Sequence, residues 1–280
     1  MSVVDRTQED PSSGVAPKGR DYERFIAAGA RALVVLGALA AWQLAGAVGL
    51  VSTLYVSSPV AVFKAIFTIF GEPGVLESVL LSLGEIGVAF LLASLIGLAL
   101  GLGIGLSREM KRAFGPLALF IMATPKIIFL PFFILTFGIT STTRSTFGAF
   151  EAIPYVVVSV MAGLELVQDK HRMLASSLNA PRWKFFRTIL LPASMPGIIT
   201  AIWYALRYAF AGVLMAGLFV ANDGIGYLVR SYTLNLHTDK LLALVIVVSV
   251  VVILAAAGWS RIERAMTKWR NVGVGAGGNP

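Results

Sequence analysis

Apolar and polar positions along this chain fall into long blocks rather than short periods. Six apolar blocks stand out, at about 27–51, 76–106, 114–137, 147–164, 197–220 and 241–259. A helix rising ~1.5 Å per residue crosses ~30 Å of hydrocarbon in about 20 residues, close to the length of each block. The pattern predicts an all-α membrane protein with six transmembrane helices in one domain, residues 27–260. Residues 1–26 read as a disordered polar tail, rich in Pro, Ser and Gly up to Arg20. Their mixed charges, with no small-residue cleavage site at the right distance, argue against a cleaved signal peptide. Residues 261–280 form a basic tail ending in the low-complexity run GVGAGGNP.

Smaller features refine these blocks. Ser57-Ser58-Pro59 reads as a helix start, with proline in the first turn. The segment after it, residues 60–70, places Val62, Ile66, Phe67 and Phe70 at the spacing of a surface amphipathic helix, ended by Gly71-Glu72-Pro73-Gly74. Gly97, Gly101 and Gly105 recur every four residues, a stripe that lets helices approach closely in lipid. Gly101, Gly103 and Gly105 imitate part of a nucleotide fingerprint, but no strand precedes them. Pro125 and Pro131 fall inside the third block and should break or kink it. Such irregular backbone survives at membrane depth only where protein or a cavity surrounds it.

Composition settles the class. Of 280 residues, 57% are hydrophobic and only 14% charged, with a mean hydropathy of +0.81. A soluble domain is nearer a quarter charged. The net charge of +8 is scattered between apolar blocks, so no nucleic-acid partner is expected. With the N-terminus inside, the cytoplasmic segments hold 17 Lys and Arg and the outer ones hold 4. That bias puts both termini and the interval 165–196 in the cytoplasm. The absence of cysteine excludes disulfides and thiolate metal sites. His171 and His237 lack metal-ligand spacing, and no phosphate-binding Gly-x-x-x-x-Gly-Lys run occurs. The chain reads as a non-enzyme with no catalytic residue, metal site or cofactor of its own.

Ionisable residues inside a span cost at least ~2.5 kcal/mol and mark candidate function. Arg207 lies ~16 Å past Pro196, near the midplane, and Lys126 falls at similar depth. Glu85 and Glu151 are expected near the outer ends of their spans. Glu85, Lys126 and Arg207 are the candidate pathway residues, and the two cations would favour an anionic solute. The alternative is that they are paired inside the bundle or line a subunit interface.

The longest polar-rich interval, 165–196, carries five basic residues between two membrane-length blocks. Met173-Leu174-Ala175, then Asn179, then Ile189, Leu191 and Pro192 match in spacing the pattern Glu-Ala-Ala, three residues, Gly, nine residues, Ile-x-Leu-Pro. This interval resembles the cytoplasmic "EAA" loop of ATP-binding-cassette (ABC) importer permeases. Met173 stands for the family's Glu, Leu174 for Ala and Asn179 for Gly. Asn enters the left-handed region most readily after Gly, so a bend at Asn179-Ala180-Pro181 is retained. That bend would insert into the ATPase, with Trp183 and Phe186 as apolar anchors and Pro192 fixing the return into the fifth span.

The run Ala123 to Pro131, followed by Phe137-Gly138, resembles the branch serving nitrate, sulfonate, taurine, bicarbonate and pyrimidine-type solutes. Residues 221–228 resemble the branch's Gly-hydrophobic-Gly-x-Leu turn. Glu85 departs from the branch, which often has Arg in Ser-Leu-x-Arg, and Gly217 stands where an Ala-Glu pair is often found. The resemblance implies a permease of the bacterial inner membrane, surrounded by lipid and paired with a second copy of itself. It further implies a separate ATPase holding ATP and Mg, a periplasmic or surface solute-binding protein, and a small anionic solute, with pyrimidine-like precursors as the second choice. Two other readings stay open: an ATP-independent secondary transporter, and a membrane sensor or assembly protein that moves no solute.

Overall fold

The computed structural model describes residues 19–50, 52, 55–165, 181–220 and 222–266, and every regular element among them is helical. Two units are distinguished, Met1–Ala61 and Val62–Pro280.

In the first unit, α1 covers Gly19–Ala47, of which Gly29–Ala47 is apolar enough to cross a membrane. The helix reaches back beyond the boundary expected at residue 27 and carries the polar residues 20–24 past the apolar block. It ends in a Schellman turn. Gly49 adopts φ +78°, its N–H donates to Gly46 O, and Leu50 N–H donates to Ala45 O.

Helix α2 is Pro59–Thr68, with Ser58 Oγ accepting from Ala61 N–H at 3.2 Å as its cap. The predicted start holds. A 3-10 turn, Ile69–Gly71, follows. The buried stripe is Val62, Ala65 and Ile69, whereas Phe67 and Phe70 are exposed. The expected face is therefore rotated, because the small Ala65 rather than an aromatic sits where the helix packs.

Helix α3 is Val75–Leu106 and α4 is Arg108–Ala123. The polar run at 107–112, between the second and third apolar blocks, is almost wholly helical. Ser107 Oγ accepts from Met110 N–H at 3.2 Å, so the run caps α4 and forms its first turn. Thr124 is extended (φ −73°, ψ 135°), as a residue before proline prefers, and the chain turns by 88°. A 3-10 turn, Lys126–Phe129, leads into α5, Leu130–Phe137. Of the two prolines only Pro125 breaks the span. Pro131 sits in the first turn of α5, where its missing N–H costs nothing.

Helix α6, Ser141–Glu165, is the axis of the second unit. A four-residue helix α7, Arg182–Phe185, and a π turn, Phe186–Leu190, run into α8, Leu191–Phe219. The wider turn suits Pro192, which lacks an N–H and would clash with the Thr188 carbonyl in a regular helix. Helices α9, Gly224–Leu234, and α10, Thr238–Met266, complete the described chain. Among the described residues, five helices are long and apolar enough to cross a membrane, and counting the bent α4–α5 pair as one span gives six.

Glycine sets the spacing of α3, α6 and α8. A Cβ on Gly97 would lie 2.6 Å from Val156 Cβ, and one on Gly101 would lie 2.8 Å from Val160 Cβ. The predicted stripe is the contact of α3 with α6. Helices α6 and α8 run antiparallel, touching at Gly148 with Gly212 and again at Gly163 with Gly197. Val156, Val160, Ala201, Ala205 and Ala209 fill the core between them.

Candidate functional site

The break after α4 delivers Lys126 into the second unit, where it is 3% exposed. Its Nζ lies 3.4 Å from Glu151 Oε1 and 3.4 Å from Met122 O. The same ammonium sits 4.7 Å from the centre of the Tyr155 ring. Glu151 and Tyr155 stand four residues apart on α6 and so share a face. Tyr155 stacks flat on Tyr208 of α8, with centroids 3.4 Å apart and planes 7° from parallel. Tyr204 meets Tyr208 edge-on at 6.0 Å, and the Arg207 guanidinium lies 5.9 Å from the Tyr208 ring. Arg207 is exposed and makes no ion pair among the described residues.

Lys126 and Arg207 thus flank one tyrosine stack built from α6 and α8. Burying the ammonium is tolerable because a carboxylate and a ring face share its charge. The cluster carries two cations and one anion, a surplus that favours a small anion. Sequence reasoning missed Tyr155, Tyr204 and Tyr208 and left Glu151 out of the pathway by placing it near the outer end of its span. Counted from Phe147, Glu151 falls near the end of its span. Because α6 begins at Ser141, the residue lies ~15 Å along the helix. The available signal was the spacing of four in Glu151/Tyr155 and Tyr204/Tyr208.

Glu85 belongs to a different cluster. Arg144, which falls between the third and fourth apolar blocks, lies in the first turn of α6 and is 3% exposed. Its Nε donates to Glu85 Oε1 and Oε2 at 2.9 and 3.0 Å, and its Nη2 donates to Oε1 as well. Nη1 donates to Val220 O at 3.1 Å, while Nη2 also reaches Ser141 Oγ at 3.0 Å and pairs with Asp223. A Cβ on Gly217 would lie 3.8 Å from Arg144 Cδ. The two departures from the branch pattern, an acid at 85 and no acid at 217, therefore meet at one site, where Arg144 supplies the cation.

Of the loop residues, Met173, Leu174, Ala175, Asn179 and Ala180 lie outside the described residues. Pro181 is described and exposed. Trp183 is 68% exposed and stacks on Phe186 at 5.6 Å. Phe186 is half-buried against the core. Ile189 is half-buried, Leu190 is buried, and Leu191 and Pro192 open α8.

Known proteins match most of this chain. The taurine transport system permease protein TauC of Escherichia coli (strain K12) is 28% identical over 236 residues, covering 82% of this chain and 86% of its own. The putative aliphatic sulfonates transport permease protein SsuC of Bacillus subtilis (strain 168) is 26% identical over 233 residues, covering 83% and 84%. The nitrate import permease protein NrtB of Leptolyngbya laminosa is 26% identical over 178 residues, covering 63% of each. A solved inward-facing structure of the MetNI methionine ABC transporter superposes with a TM-score of 0.59 at 23% identity, over 69% of this chain and 95% of that one. That likeness shows a shared fold. Residues 93–268 match the family model for the binding-protein-dependent transport system inner membrane component. This chain belongs to that family and is a membrane-spanning permease subunit of an ABC importer of the inner membrane.

Proposed function

We propose that two copies of this chain form the pathway of an ATP-driven importer for a small oxyanion of the sulfonate, taurine or nitrate class. The observation that carries the reading is the pair of cations, Lys126 and Arg207, flanking a tyrosine stack in the middle of two membrane helices. The names of the relatives point to the same solutes. A solute-binding protein delivers the anion from outside, and a separate ATPase, holding ATP and Mg, docks on residues 165–196. Both termini face the cytoplasm, as the distribution of basic residues indicates. The exposed Trp183, braced by Phe186, offers the ATPase a large apolar contact. Nucleotide binding draws the two loops together and turns the pathway over as a rigid-body alternation. Glu151 lies at a depth where a proton-coupled carrier would hold an acid, but it is matched with Lys126, and family membership assigns the driving force to ATP.

Co-expression with the ATPase tests this reading. The wild-type chain is expected to co-purify with the ATPase. Reconstituted with the binding protein, it should import radiolabelled taurine or nitrate with ATP and without a proton gradient. Trp183→Ala and Asn179→Asp should lower bound ATPase or its coupling by about tenfold, the size of one hot-spot contact. Failure of the wild-type chain to bind any ATPase would overturn the reading.

A further inference from the structure

We propose that Glu151 is an internal surrogate for the transported anion. Its carboxylate occupies the seat on Lys126 that an incoming oxyanion takes, and it thereby sets the charge selectivity of the pathway. The proposal rests on the reading that the tyrosine cluster faces that pathway.

Four observations support it. Glu151 is the only acid paired with Lys126 among the described residues, whereas Glu85 is held by Arg144, Glu72 by Lys240 and Glu165 by Lys111. The contact is loose: both polar neighbours of Lys126 Nζ lie at 3.4 Å, beyond the ~2.7–2.9 Å of a tight charge-assisted hydrogen bond. The Arg144–Glu85 contacts at 2.9 and 3.0 Å are closer. The Glu151 side chain keeps 14% exposure while that of Lys126 keeps 2%, so an anion arriving from the open side meets the carboxylate before the ammonium. Finally, the ammonium keeps a partner when the carboxylate leaves. The Tyr155 ring holds the ammonium whether or not the carboxylate is present.

The exchange selects its ligand. A singly charged oxyanion reproduces what the carboxylate gives Lys126. Sulfonates, nitrate and small carboxylates satisfy this, whereas cations do not.

The chain has no cysteine, so a single Tyr204→Cys reports on this face of α8. In membrane vesicles carrying the assembled importer, its reaction rates with sulfonatoethyl and trimethylammonioethyl methanethiosulfonate are compared. Adding Glu151→Gln uncovers Lys126 and is expected to raise the anionic-to-cationic rate ratio roughly tenfold, as removal of one nearby charge at intermediate dielectric should. Glu151→Asp, which withdraws the carboxylate by one methylene, should raise the ratio partway. Lys126→Gln together with Glu151→Gln should cancel the gain. A ratio unchanged within about twofold in Glu151→Gln and Glu151→Asp, with both reagents reacting, overturns the role of Glu151 alone. If neither reagent reacts with Tyr204→Cys, the face is not water-lined, and the pathway reading falls with it.

Discussion

Arg144 is the residue whose surroundings depart furthest from what its neighbours in sequence suggest. It lies among Ser and Thr, yet its guanidinium is buried. It both neutralises Glu85 and satisfies the Val220 carbonyl, one of the orphan acceptors at the C-terminal end of α8. A planar group with five donors can do both at once. Removing Arg144 leaves the Glu85 carboxylate buried and unpaired, at a cost of roughly 3–5 kcal/mol, whereas removing Glu85 leaves the guanidinium with the more exposed Asp223. Arg144→Ala should lower stability by about that amount in purified, detergent-solubilised protein, and Glu85→Ala by less. The double variant should lose less than the sum, with a coupling on the order of 0.5–3 kcal/mol. Strict additivity in thermal unfolding would show that the pair is not a unit. Glu85→Arg, the residue common in the branch, should be worse than alanine here, because without an acid at 217 it places two arginines together.

Helix α3 shows how one element carries both tolerant and intolerant glycines. A Cβ on Gly101 would meet Val160 Cβ at 2.8 Å and Val157 O at 3.2 Å, while one on Gly103 meets nothing within 4 Å. Gly101→Ala is therefore expected to overpack the contact with α6 and cost about 1–3 kcal/mol. Gly103→Ala should be neutral or stabilising by up to ~1 kcal/mol through helix propensity. The yield of monodisperse protein after membrane extraction separates the two, and equal behaviour would refute the glycine contact. The stripe was legible in the sequence because close helix approach leaves a local signature, small residues every four positions. The break at Pro125 was legible because proline acts on the residue before it. The start of α6 was not. Its polar first turns fall outside the apolar blocks, but Thr146 Oγ1 donates back to Thr142 O at 2.6 Å, which lets such residues lie in a helix without water. The Glu85–Arg144 pair spans 59 residues, and no local rule reaches that far. The expectation at 173–180 rests on a spacing pattern shared with a family and lies outside the described residues.

Across the second unit, burial falls away from α6: 61% of its apolar span is buried, against 11% for α10. Ile253 and Leu254 of α10 are exposed, which in lipid carries no hydrophobic penalty. What secures such a peripheral helix is therefore polar contact beyond the apolar span. Glu72 provides it, with Oε2 accepting from the Tyr232 hydroxyl of α9 at 3.1 Å and Oε1 pairing with Lys240 of α10 at 2.6 Å. Burial first, then the hydrogen bond and charge of Glu72, push the Tyr232 phenol up to about 12, against about 10 for an unfolded tyrosine. The folded protein keeps a proton that the unfolded chain loses. This contribution to stability is therefore complete below pH ~10 and is lost as pH rises from there through the folded value. Over that window the unfolding midpoint of the wild-type protein should fall more steeply with pH than that of Tyr232→Phe, which has no phenol to titrate. The remaining tyrosines contribute equally to both proteins and cancel in the comparison. Parallel pH profiles for the two proteins would mean that Tyr232 is neither buried nor bonded to Glu72 in the folded protein.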